Sequence, residues 1–133
     1  MLRPLLEKDI VLQHLLEEVI LTKAQIDTLL CELDGSTKFE KLKERINKRD
    51  RKNLTLGSYL RTKKQACKRV KKTLKTIFLL MYLGIIPQDT LNTLYKAASL
   101  LNQIKNVKLT NGEKQNLIEL LEETITRLIV ISQ

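Results

Sequence analysis

The sequence predicts an all-α protein: a compact bundle of about six helices with one long helix at its centre. Three observations carry this. Apolar residues recur at three- and four-residue steps through most of the 133 positions, the spacing of one helix face. Helix-capping signatures stand in front of several of these runs. No segment alternates apolar and polar with β-branched enrichment between hairpin turns, and only Asn53–Gly57 (NLTLG) suits a short strand. At 43% hydrophobic and 29% charged the composition is that of a folded chain rather than a disordered one.

The first helix is expected over residues 5–21, with Pro4 in its first turn and a wide stripe of Leu6, Ile10, Leu12, Leu15, Leu16, Val19 and Ile20. His14 lies on it without a companion ligand or nucleophile and reads as structural. The second helix, Thr22–Leu33, opens on a Thr-x-x-Gln capping box (Thr22, Gln25) and ends at Asp34-Gly35. Cys31 beside its stripe reads as a small buried residue. Ser36 or Thr37 caps a third helix, Lys38–Asn47, with Phe39, Leu42 and Ile46 as its narrow apolar edge. Residues 48–55 (KRDRKNLT) lack periodicity and read as an exposed cationic loop.

The central helix runs from Ser58, its expected N-cap, to Ile86, with Gly84 and Pro87 as stop signals. At about 100° per residue, Arg61, Lys64, Lys68, Lys71, Lys72 and Lys75 share an arc about 100° wide. Opposite them lie Ala66, Cys67, Val70, Leu74, Ile77 and Phe78. Past Thr76 the polar face ends, so this half is expected to be buried on most sides. Tyr59 is the one aromatic expected in the exposed part of the basic region. Two further helices follow: Gln88–Ile104, then, after a turn at Asn106–Asn111, Glu113–Ile131 capped by Thr110 or Asn111. The last ends RLIVISQ, apolar enough either to pack on the core or to form a seam with a second copy or a protein partner.

Residues 1–133 are expected to form one domain, with a basic part at 21–76 and a C-terminal helical pair at 88–131 as a dimer surface. Charge is segregated. Residues 38–75 hold 16 Lys and Arg against three acids, whereas the remainder holds 8 bases and 12 acids. Such a footprint suits a polyanion, although lysine-rich surfaces also serve solubility alone. Stretches for a phosphate loop, a metal cluster or a nucleophile–base pair are lacking, so no enzyme, cofactor or metal is expected. Two distant cysteines make neither a disulfide framework nor a zinc site and suggest reduced thiols. No apolar run reaches membrane length, and acids near the N-terminus argue against a secretory leader. A cytoplasmic location, on the nucleoid if DNA is the partner, follows as the expectation.

The segment from Leu21 has the order Leu-Thr-x-x-Gln, apolar helix, Asp-Gly, short helix, linker. It continues as Leu-Thr-x-Gly-Ser-Tyr-Leu-Arg-Thr-x-x-Gln, opening the basic helix. This resembles the sigma-factor region-4-like group of helix-turn-helix DNA-binding domains. It is also similar to small archaeal helix-turn-helix proteins with a Gly-Ser-Tyr-x-Arg-Thr-x-x-Gln segment. The resemblance covers residues 21–76 and implies a helix-turn-helix-like unit in which Thr22 and Gln25 cap the first helix. Ser58, Arg61, Lys64 and Gln65 would then take early recognition-helix positions. The linker and the basic helix are both longer than in that group.

The expected interface is Ser58, Arg61, Lys64, Gln65, Lys68, Lys71, Lys72 and Lys75, with Lys48, Arg49, Arg51 and Lys52 from the loop. Arg61 and Gln65 are the donors suited to base edges, and the lysines suit phosphates. Scarce aromatics disfavour single-strand stacking, so the expected partner is double-stranded DNA, with structured RNA second. A transcription regulator or a chromatin or replication accessory factor fits this. The competing expectation is a non-enzymatic subunit docking an acidic protein partner.

Overall fold

A computed structural model describes residues 1–105 and 107–131. Asn106 of the expected turn, and Ser132 and Gln133 of the apolar tail, lie outside the described residues. The chain is all-α: the described residues form seven helices and no strand. It divides into two compact units, Met1–Thr73 and Leu74–Gln133. The boundary falls inside one long helix, and the basic segment lies almost wholly in the first unit.

The expected first helix is two short ones, α1 (Leu2–Leu6) and α2 (Ile10–Leu15). Asp9 breaks it: its backbone is extended, and its carboxylate accepts from the Leu12 N–H at 3.0 Å as the cap of α2. A short acceptor that satisfies a free amide here outweighs continuing the helix. Helix α3 (Lys23–Thr37) opens on the expected capping box, with reciprocal bonds between Thr22 and Gln25 of 3.1 and 3.2 Å. It does not stop at Asp34-Gly35. Gly35 is buried inside the helix, and a Cβ there would lie 2.4 Å from Cγ of Arg45. The glycine therefore admits a neighbouring side chain rather than ending a turn.

The third helix is shorter than expected: α4 covers Leu42–Asn47 and packs against α3. Phe39, expected in its apolar edge, sits at φ 54° and is 94% exposed. The Glu40 N–H bonds back to the Gly35 carbonyl at 2.8 Å, so Phe39 belongs to the closing turn of α3. Helix α5 (Leu56–Tyr82) is the long one. Ser58 does not cap it; the Thr55 hydroxyl accepts from the Ser58 N–H at 3.1 Å, which moves the cap three residues upstream. At its end Gly84 has φ 75°, with Ile85 N–H bonded to the Leu80 carbonyl and Gly84 N–H to that of Met81. This is a Schellman closure, which the stop signal implied.

In the second unit α6 (Thr90–Ile104) and α7 (Asn111–Arg127) follow. Thr110 caps α7 through a box with Glu113. The Val130 N–H donates to the Ile85 carbonyl at 3.1 Å, tying the segment after α7 to the segment after α5. The apolar half of α5 is not enclosed: Phe78, Leu79, Tyr82 and Leu83 are exposed. Along it only Ile77, Leu80 and Met81 are half-buried.

Candidate nucleic-acid interface

Helix α5 carries eight cations and no acid over its 27 residues. Two of those cations hold it in place. Lys63 pairs with Glu32 of α3 at 2.7 Å, and the same carboxylate takes Arg45 of α4 at 3.0 Å. The Tyr59 hydroxyl donates to its other oxygen at 2.9 Å. Further along, the Arg69 guanidinium donates to the Ile20 carbonyl at 2.7 Å and to Gln25 Oε1 at 3.2 Å. Ala66 is fully buried between these two anchors. Burial pushes the Glu32 carboxyl up, but Lys63, Tyr59 and Arg45 outweigh it and hold it below the ordinary range. Burial and that same carboxylate drive the Tyr59 phenol well above its usual value. Tyr59 is therefore a docking residue, not an exposed aromatic.

These anchors fix which way the rest of the helix points. Tyr59, Lys63, Ala66 and Arg69 centre on one direction; at about 100° per residue, the Arg61–Lys64–Lys68–Lys71–Lys72 arc centres about 180° from it. All five are exposed, and Gln65 sits at the edge of the arc. Lys75, exposed on the same arc, falls just beyond the boundary of the first unit. No carboxylate among the described residues pairs with Arg61, Lys64, Lys68, Lys71 or Lys75. From Arg61 to Lys72 the charges extend about 16 Å at 1.5 Å per residue. Ser58 is half-buried, and its carbonyl accepts from the Thr62 hydroxyl.

The loop contributes less than expected. Arg49 is 4% exposed and turned inward. Its Nε donates to Asp27 Oδ2 at 2.6 Å and its Nη1 to the Thr28 hydroxyl at 2.5 Å. Asp27 also accepts the Leu2 N–H at 3.0 Å and the Asp50 N–H at 2.8 Å, and lies 3.1 Å from the Met1 amino group. Burial pushes the Asp27 carboxyl up; these donors more than reverse it and leave it lowered. Lys48 is engaged by Asp34 and Glu40, which raise its ammonium, while Lys48 and Lys38 lower Asp34. Arg49 and Lys48, expected to face phosphates, instead neutralise acids of α3 and its closing turn. Arg51 and Lys52 remain exposed, with the Lys52 ammonium donating to the Asn47 carbonyl at 3.0 Å.

His14 is half-buried, its Nδ1 3.6 Å from Glu17. Among the described residues no group of three His, Cys, Asp or Glu could hold a metal ion. No helix of the described residues is long and apolar enough to cross a membrane. Compared with protein-family models, curated proteins and solved structures, the chain matches none.

Proposed function

We propose that this chain binds double-stranded DNA, laying the outward face of α5 along the phosphate backbone. The observation that carries the reading is the division of labour among the cations of α5. Lys63 and Arg69 are spent on docking the helix, and the opposite arc keeps Arg61, Lys64, Lys68 and Lys71 in the open. A helix with cations all round would be merely soluble. Here one side is anchored and the other is cationic and acid-free, which suits a polyanion. The 16 Å of charge matches about five base pairs at 3.4 Å each. Lysines dominate the arc, and they are point charges better at phosphate contact than at reading base edges. Arg61 and Gln65, one turn apart near the helix start, are the donors for any readout of sequence. With Tyr59 withdrawn, residues 61–75 hold no aromatic; base stacking is the main device of single-strand binders, so duplex is the favoured form.

The test is Lys64, Lys68 and Lys71 changed together to Glu. All three are exposed, so helicity and melting should persist while retention of duplex DNA in a gel at low salt is lost. If the variant keeps its DNA binding, the reading fails. If the parent protein ignores DNA and single-stranded nucleic acid but retains an acidic polypeptide, the basic arc serves a protein partner instead.

A further inference from the structure

Phe39 is the most exposed large apolar side chain among the described residues, at 94%, and it sits at φ 54°. It stands in a Schellman closure of α3. The Glu40 N–H bonds to the Gly35 carbonyl at 2.8 Å, and the Phe39 N–H to that of Ser36 at 3.4 Å. The left-handed position of such a closure is usually glycine, because a Cβ disfavours that backbone. The same closure at the end of α5 uses Gly84. At the end of α3 an aromatic ring takes the place instead. The fold gains no packing from it, since almost none of the ring is covered.

The ring stands in a cationic segment, KFEKLK at residues 38–43. Its acids are already engaged: Glu40 meets Lys48, and the Glu44 carboxylate just beyond accepts from the Lys41 N–H at 2.9 Å. Lys38 pairs with Asp34 at 3.0 Å. Lys41 and Lys43 are exposed, and no carboxylate among the described residues pairs with the ammonium of either. Cα atoms two residues apart lie within about 7.6 Å of each other, so Lys41 brings free positive charge close to the ring.

We infer that Phe39 stacks on an unpaired nucleic-acid base while Lys41 and Lys43 hold phosphates of the same strand. A base offers one flat π-face, which matches one ring, and its own nucleotide carries the negative charge that the lysines seek. No wide apolar patch is required. A second copy of the chain fits worse, because a two-fold contact would set these lysines against their own counterparts. A bilayer surface asks for an apolar face several residues wide, whereas Lys38 and Glu40 flank Phe39. An acidic polypeptide would satisfy the lysines and leave the ring idle. Bases inside an intact duplex stack on one another, so the ring selects single-stranded segments. The contact lies outside α5 and goes beyond the duplex reading; the two are tested by different variants.

The chain has no tryptophan, so Phe39→Trp in the full chain installs a single fluorescent reporter. Titrated at low salt with an oligo-dT strand, its indole emission should be quenched as bases stack on it. Phe39→Gly supplies the second readout. It should melt no lower than the parent, since glycine suits the left-handed turn, and should retain blunt duplex DNA in a gel. It should nevertheless weaken oligo-dT binding by about fivefold or more, the loss of one base stack. Indole emission that ignores oligo-dT overturns the inference. So does a blue shift with anionic vesicles in its place, or equal quenching by an acidic polypeptide. A Phe39→Gly variant that melts lower makes the ring structural, and one that binds oligo-dT like the parent makes it idle; either also overturns it. If oligo-dT fails while duplex is retained, only this inference falls and the reading of α5 stands.

Discussion

Asp27→Ala is the most searching test of how the first unit holds together. The Asp27 and Arg49 side chains are 3% and 5% exposed and meet at 2.6 Å. Removing the carboxylate orphans the guanidinium and, beside it, the Leu2 and Asp50 N–H groups. Breaking one side of a buried ion pair costs about 3–5 kcal/mol, because the remaining charge stays out of water. Stability of about 0.05–0.15 kcal/mol per residue gives a unit of this size about 4–11 kcal/mol in total. Asp27→Ala should therefore remove a third or more of it. Arg49→Ala alone should cost less, since two backbone donors and the Met1 amino group still serve the carboxylate. The double variant should fall short of the sum by at least about 1.5 kcal/mol, as partners in one network do. Urea unfolding followed by circular dichroism gives the global figure, and hydrogen exchange at the Leu2 and Asp50 amides gives the local one. A cost below about 1 kcal/mol for Asp27→Ala, the range of an exposed pair, or strict additivity with Arg49→Ala, would refute a buried network.

Gly35→Ala should destabilise, by about 1–3 kcal/mol as overpacking does, although alanine is the better helix former; Arg45→Ala in the same chain should recover part of the loss. Stability should fall on both sides of a plateau. Asp27 and Glu32 are lowered in the fold, so their contribution is complete above about pH 5 and is lost progressively on acidification below it. Cys31, pushed by burial to about 11, and Tyr59, also raised, keep their contribution below their unfolded values and lose it as pH climbs through about 8.5–10 and beyond. Thermal melts across pH should show both limbs, and Tyr59→Phe should soften the alkaline one. In the folded protein a thiol reagent should modify one cysteine quickly, the exposed Cys67, and leave buried Cys31 until denaturant is added; two fast thiols would contradict the packing of α3.

What could be read from the chain was local. The Thr22–Gln25 box spans four residues, and its hydrogen bonds follow from the residue types alone. So do the Schellman turn at Gly84 and the acid-free arc of α5. What could not be read depends on partners distant in sequence. Arg49 and Arg51 are both arginines in one cationic run, yet only Arg49 meets an aspartate, 22 positions earlier. Gly35 follows an aspartate and looks like a stop until Arg45 is seen to lie against it. Tyr59 reads as surface because Glu32, its acceptor, is 27 residues away. The same limit applies to the apolar half of α5: periodicity says which residues prefer burial, not whether α6 and α7 cover them. Asp9 is different. Its capping role was available locally, but seven apolar residues on a single stripe outweighed it.

The central claim is that the Arg61–Lys71 arc meets phosphates, and the salt dependence of duplex DNA binding measures that most directly. Each phosphate neutralised adds about −0.9 to the slope of log affinity against log salt. Four outward cations of α5 in the first unit, Arg61, Lys64, Lys68 and Lys71, predict a slope of about −3.6, falling by about one with Lys68→Ala and unchanged with Arg49→Ala once folding is verified. A slope near zero, or one that responds to Arg49 and not to Lys68, would contradict it.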